Sequence, residues 1–301
     1  MPVEPPVVSP SSLKEAYAAL AAAPPETPTR PIAGGTDLMV ALTGELGEAP
    51  ASVVDLWAID GLRGIAVDRG THADGAADHE VLSLGALTTY TDIRRSALCQ
   101  EHIPALVAAA ATIGAAQIQN RGTLGGNIAN ASPAGDTLPV LLAADAVFVL
   151  GSERGEREVP AARFWTGYRR TVLASDELVL RIRIPLAADR EMRFRKVGTR
   201  RAQSISKVVM SLAWRAGRGD PHGPWRDVRV ALGSVAATPV RATATEVALE
   251  GRPPTPETAD RAAETLAHEL TPIDDVRSTA EYRRLVAARI LHRFVREAGG
   301  W

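Results

Sequence analysis

Two glycine-rich stretches concentrate the residues able to hold a ligand. The longer is Arg121-Gly122-Thr123-Leu124-Gly125-Gly126-Asn127-Ile128-Ala129-Asn130-Ala131-Ser132-Pro133-Ala134-Gly135-Asp136. Its opening glycines let backbone N–H groups approach a ligand with no Cβ in the way. Thr123, Asn127, Asn130 and Ser132 add side-chain donors, and Ser132-Pro133 and Gly135-Asp136 punctuate the segment before an apolar helical run over 137–144. Such chemistry suits a phosphorylated, ring-bearing cofactor. The shorter stretch, Pro31-Ile32-Ala33-Gly34-Gly35-Thr36-Asp37-Leu38, runs from a strand-like start into a helix-like segment over 38–42. Backbone donors in a loop before a helix suit a pyrophosphate. A glycine-rich turn between core elements competes with this reading for either stretch alone. Neither reads G-x-G-x-x-G, and Gly122-Thr123-Leu124-Gly125 lacks the strand, tight turn and helix of a Rossmann fingerprint.

Taken together and in this order, Ala33-Gly34-Gly35-Thr36-Asp37-Leu38 and Thr123-Leu124-Gly125-Gly126-Asn127, with Ser132-Pro133 and Asp136, resemble the two FAD loops of a known family. It is the flavin-binding subunit or domain of the molybdenum hydroxylases, which includes xanthine dehydrogenase and carbon monoxide dehydrogenase. The segment 164–173 resembles the xanthine dehydrogenases in particular. Segments 194–201, 203–208, 228–235 and 275–283 extend the resemblance from near residue 6 almost to the end. The main departure is an insert at 68–80.

The elements that must position these residues follow from pattern. Ser11-Ser12-Leu13-Lys14-Glu15 resembles a capping box before a helix ending near Ala23. Strands are expected over 52–56, 61–67, 81–86, 146–150 and 177–184, with an exposed hairpin loop over 68–80 containing His72 and His79. Helical patterns begin at Thr91 and cover 103–113, and a charged turn is expected over 152–158. After Pro185–Asp189, the expected boundary, come strands over 192–197, 208–216 and 228–233, with a turn-rich insert over 217–224. Helices over 241–249, 256–269 and 279–296 complete the chain. Strands followed by helices imply an α+β fold. The resemblance implies a two-lobed FAD-binding domain of the PCMH (vanillyl-alcohol-oxidase-like) type, lobes 1–60 and 61–186. A C-terminal α+β domain over 187–301, a small antiparallel sheet with helices, follows.

The resemblance also implies the site. Pro31, Ile32, Ala33, Gly34, Gly35, Thr36, Asp37, Leu38, Ile113, Thr123, Leu124, Gly125, Gly126, Asn127, Asp136, Val179 and Lys196 are the expected FAD-binding residues. Backbone N–H groups of both loops are expected to face the pyrophosphate, with the Thr36 and Thr123 hydroxyls adding to them. Ile113 and Leu124 either pack on ring faces or fill the core. Asp136 caps the helix from Thr137, contacts FAD, or does both, and Asp37 is expected first as a cap. Lys196 falls where a lysine reaches the flavin, and a cation there would stabilise the anionic reduced ring. Tyr168 falls where a tyrosine lies beside the flavin on the side NAD approaches; an anchored, partly buried tyrosine is the alternative. Arg200 and Arg201 either tune potential, face NAD phosphates or form a solvated basic turn.

Composition narrows the classes. With 301 residues and 46% hydrophobic residues a sizeable core is expected, and a net charge of −1 provides no general attraction to nucleic acid or anionic lipid. The single cysteine, Cys99, excludes an intrachain disulfide and a cysteine-ligated iron–sulfur cluster within this chain, and reads as a buried thiol. The six histidines lack metal-site spacing, and His268-Glu269 does not continue into H-E-x-x-H, so no metal is expected. No secretory signal or membrane-length apolar run is read, so the expected location is the cytoplasm. No catalytic side chain is expected. The implied function is the FAD-carrying electron-transfer subunit of a multi-subunit molybdenum hydroxylase of the xanthine dehydrogenase type. Electrons would come from 2Fe-2S clusters on a small partner beside a large molybdenum-cofactor subunit and pass to NAD or another acceptor. A free-standing FAD-dependent oxidoreductase and an assembly module that has lost flavin are the alternatives.

Overall fold

Strands β1 (Val7–Val8), β2 (Arg30–Ile32) and β3 (Val53–Asp55) pair in parallel in the order β1-β3-β2. Parallel pairing demands crossovers, and helices α1 (Leu13–Ala21) and α2 (Leu38–Thr43) lie within them. The Ser12 hydroxyl accepts the Glu15 N–H at 3.3 Å and so starts α1. The reciprocal arm lands one residue early, because the Glu15 carboxylate takes the Ser11 N–H at 2.8 Å. Ala16 and Leu20, one turn apart, bury the inner face of α1. The structure, a computed structural model, describes residues 5–24, 26, 27, 29–44, 49–70, 79–200, 203–217, 220 and 222–301.

The next strands, β4 (Ile65–Gly70) and β5 (His79–Gly85), form an antiparallel hairpin in which Gly70 faces His79. The expected 68–80 loop is therefore partly strand, and 71–78, with His72, fall outside the described residues. The strand expected from Gly61 begins later, because Asp60–Leu62 make a 3-10 turn and Gly64 sits at φ +102°. A run of short helices follows: α3 (Tyr90–Arg95), α4 (Ala97–His102), α5 (Pro104–Ala110), α6 (Ala116–Gln119), α7 (Leu124–Asn130) and α8 (Leu138–Ala143). Pro104 at the first position of α5 and Gly114 at φ +53° after it shorten the helix expected over 103–113. Cys99 is buried in α4.

The chain then returns to the sheet through β6 (Val147–Ser152), β7 (Gly155–Pro160), the ribbon β8 (Trp165–Gly167) with β9 (Arg170–Thr171), and β10 (Leu178–Pro185). The five-stranded order is β4-β5-β10-β6-β7, antiparallel throughout. The charged stretch 152–158 is thus mostly the edge strand β7 rather than a turn. Charge suits an exposed edge, and Glu156 and Glu158 pair with Arg181 and Arg183 of β10.

Strands β11 (Arg190–Val197), β12 (Val208–Arg215), β13 (Arg226–Gly233) and β14 (Val240–Arg241) make an antiparallel sheet in that order. Helices α9 (Thr243–Leu249), α10 (Pro256–Glu269) and α11 (Ala280–Gly299) follow. Val208 through Trp214 are buried without alternation, as expected of a strand covered on both faces. One face meets α11, and the other meets α8, with α5 against β11. Asp145, just after α8, receives Arg229 at 3.1 Å and Arg241 at 3.2 Å, which ties the two sheets' supporting layers together. No helix among the described residues is long and apolar enough to cross a membrane.

Candidate functional site

Both glycine loops meet at one cleft of about 510 Å³, within the usual range for a cofactor site. Residues 31–38 line one side of it; Thr123, Gly125, Gly126 and Asn127 line another, and Val179 of β10 contributes an apolar patch. The loops are in direct contact: a Cβ on Gly34 would fall within the carbonyl of Arg121. Gly35 adopts φ +75°, a conformation that suits glycine. Gly125 packs against Ala86, whose Cβ would lie 2.6 Å from an added Cβ.

A donor census separates the two loops. Among the described residues, the N–H groups of Gly34, Gly35, Thr36 and Asp37 donate to nothing in the chain. They precede α2 and border the cleft, an arrangement that favours an anion. In the second loop all but the Thr123 N–H are engaged within the chain, among the described residues. Leu124 N–H donates to Thr88 O at 2.9 Å, Gly125 N–H to Ala86 O at 2.9 Å, and Asn127 N–H to Thr123 O at 3.0 Å. Gly126 N–H donates to the Thr123 hydroxyl at 3.1 Å, which caps α7. Free backbone donors thus border the cleft mainly from the first loop, with the Thr123 N–H alone from the second. The second loop contributes close approach over Gly126 and the Asn127 amide, whose Oδ1 accepts from Thr137 at 2.6 Å and leaves Nδ2 for a ligand.

Across the mouth runs a polar chain. Asn130 Nδ2 donates to Asp37 at 3.0 Å, and Arg169 Nη1 donates to Asn130 Oδ1 at 2.9 Å. Asp37 thus sits at the start of α2 without a capping hydrogen bond of its own. Below it, the Glu177 carboxylate accepts Arg157 Nε and Nη2, each at 2.6 Å, and the Ala174 N–H at 2.9 Å. This fixes Leu173, Ala174 and Ser175 on the cleft wall. The Arg157 hydrogen bonds hold the Glu177 carboxyl below the usual carboxylate range, against the opposing effect of burial.

Asp136 and Lys196 lie deeper, off the cleft lining, as a pair whose side chains are each 7% exposed with Nζ to Oδ2 at 2.6 Å. Ser206 donates to Asp136 Oδ1, and Lys196 also donates to Thr112 O at 3.1 Å. Burial pushes the Asp136 carboxyl up, and Lys196 offsets part of that. Asp136 is not the cap expected for α8: that place belongs to Thr137, and the carboxylate turns inward instead. Lys196 likewise gives its donors to this chain. Leu124 is fully buried in the core, and Ile113 packs against the same core, so neither lines the cleft. Tyr168, 65% exposed, stands at the tip of the β8–β9 ribbon rather than on the lining. Arg200 Nη2 donates to Gln203 O at 2.5 Å, and Arg201 falls outside the described residues. Tyr90, Arg169 and Glu177 on the lining went unread in the sequence as cleft residues. The Gly122–Tyr90 contact and the Glu177–Arg157 pair join positions with no shared motif.

Residues 2–187 match the family model described as the FAD binding domain in molybdopterin dehydrogenase. The chain belongs to that family. Residues 193–298 match a second model, the CO dehydrogenase flavoprotein C-terminal domain. The chain is 30% identical to the nicotine 6-hydroxylase medium subunit of Paenarthrobacter nicotinovorans, over 97% of this chain and 96% of that one. It is 31% identical to the carbon monoxide dehydrogenase medium chain of Hydrogenophaga pseudoflava, over 89% of this chain and 88% of that one. Among solved structures, carbon monoxide dehydrogenase from H. pseudoflava lacking the Mo-pyranopterin moiety superposes with a TM-score of 0.87 at 30% identity, covering 97% and 96% of the two chains. The expected α+β fold, FAD as cofactor and membership among oxidoreductase subunits are thereby established. The site fits that cofactor on its own terms. The N–H groups of residues 34–37, free among the described residues, suit a diphosphate, glycines admit it closely, and Val179 offers apolar surface to a ring.

Proposed function

We propose that this chain is the electron-transfer subunit of a multi-subunit molybdenum hydroxylase. In this reading it receives electrons from 2Fe-2S clusters on a small partner, fed by a large molybdenum-cofactor subunit, and passes them to NAD or another acceptor. FAD, when bound, supplies the ability to exchange electrons singly or in pairs. This chain's residues bind and orient it. The N–H groups of residues 34–37 hold the diphosphate, Gly125 and Gly126 permit contact, and Thr123, Asn127 and Val179 line the remaining wall. Residues 1–60 and 61–186 are the two lobes that carry the cofactor, with 187–301 packed behind them. Tyr168, exposed beside Arg169, guards the side from which the acceptor arrives.

The observation that carries this reading is the row of free N–H groups facing the second glycine loop across one cleft, in a chain of the FAD-binding family. The lone cysteine leaves any cysteine-ligated cluster to another chain. The test is reconstitution. Purified protein mixed with FAD should give a flavin spectrum with resolved fine structure, and NADH should bleach it when NAD is the acceptor. A spectrum identical to free flavin counts against cofactor binding. Bleaching by artificial donors but not by NADH redirects the acceptor. Turnover of an organic substrate by this chain alone would favour a free-standing oxidoreductase.

A further inference from the structure

Tyr90 is a buried cleft residue whose hydroxyl has no role inside the fold among the described residues. It opens α3, and its backbone N–H donates to Gly122 O at 3.2 Å. Its ring lies against the α-carbon of Gly122, where an added Cβ would sit 2.8 Å from the ring. The side chain is 4% exposed, yet its hydroxyl makes no hydrogen bond with any described residue. It is also not among the buried polar atoms sealed from solvent without a partner. Since Tyr90 lines the cleft, the small surface left to it opens there. A buried phenol without a partner loses the hydrogen bonds water would give it unless something supplies one. Burial and the nearby Asp37 and Asp136 carboxylates push the phenol above its usual range, so the hydroxyl keeps its proton and can donate.

The position selects the recipient. Gly122, on which the ring rests, follows Arg121, whose carbonyl abuts Gly34 of the free N–H row. The hydroxyl therefore stands at the junction of the two loops. The geometry points to Tyr90 as a further ligand of the cofactor, donating its hydroxyl proton to a diphosphate oxygen of FAD. The inference rests on the FAD reading of the cleft. Tyr90 positions the phosphate end and takes no part in electron exchange at the ring.

The test is Tyr90→Phe, which removes one oxygen and keeps the packing against Gly122. Dissociation constants are measured for FAD by fluorescence quenching and for ADP, which carries the diphosphate without the flavin, by calorimetry. The expected result is about tenfold weaker binding of both, the size of a lost hydrogen bond to a charged group. The phosphorus NMR lines of bound FAD should move, while its visible spectrum and the melting temperature of the apo-protein stay the same. Unchanged FAD affinity overturns the inference. So does weakened FAD binding with unaltered ADP binding, which would assign the hydroxyl to the ribityl chain or ring. A wild-type protein that binds neither molecule overturns the FAD reading itself, a failure distinct from a Tyr90 variant that matches wild type.

Discussion

At the scale of single residues, the cradle depends on one missing methyl group. Gly34 touches the Arg121 carbonyl so closely that no side chain fits without moving one loop off the other. Gly34→Ala should cost about 1–3 kcal/mol through forced backbone movement. It should also lower the flavin-to-protein ratio after reconstitution, read from absorbance, more than any change at exposed Tyr168. The buried pair is the second sensitive point. Lys196→Met leaves Asp136 without its counter-charge and should destabilise the protein by about 3–5 kcal/mol in urea unfolding. The double variant Asp136→Leu with Lys196→Met should recover much of that loss, because apolar groups of similar volume carry no desolvation penalty. The glycines were readable because composition alone announces them. Asp136 was not: its partners lie 60 and 70 positions away, and only the folded chain shows that its carboxylate turns from the helix start towards Lys196 and Ser206. The Thr123 hydroxyl shows a double use that pattern alone does not separate: it accepts the Gly126 N–H to start α7 and keeps its own O–H on the cleft lining.

Among elements, the segment between β9 and β10 depends on Glu177 for its shape. That carboxylate joins Arg157 of the edge strand to Ala174 N–H, and so holds residues 173–175 against the cleft. Its folded value is depressed below the ordinary glutamate value of about 4.3. The associated stability is therefore present above about pH 4.3 and is lost as pH falls through the lower folded value. Melting temperatures from neutral pH downward should fall more steeply for wild type than for Glu177→Gln, and the two curves should converge in acid. Convergence at neutral pH instead would remove Glu177 from this role. Long elements were legible: α10 spans the expected 256–269, and β11 to β13 lie near their expected places. Period and apolar content decide such segments with little tertiary help. β7 was not legible, because GEREVP carries the charge of a turn. Its strand state comes from pairing with β6 and from arginines on β10, both remote in sequence.

For the molecule as a whole, the C-terminal sheet serves as a shared wall, with α11 on one face and α8 on the other. Asp145 locks that stacking by meeting Arg229 and Arg241, while Arg190 bonds Asp227 at 2.9 Å. Its φ of +51° is tolerable for Asp and Asn, so Asp145→Asn removes charge with little backbone disturbance. The partly exposed network should lose about 1 kcal/mol, measurable by chemical unfolding, and the loss should shrink in high salt. The order of the layers was legible from strands followed by helices, but the clasp between them was not, since no local pattern links 145 to 229 and 241. One contact between distant segments has a consequence for biosynthesis. Asp37 and Asn130, which hydrogen-bond across the mouth, are 93 positions apart, and Gly34 leans on Arg121. A growing polypeptide thus leaves the ribosome with its free cleft amides long before the surface that backs them has been translated. The cleft's two walls can therefore close on each other only in a chain already synthesised well past its first third.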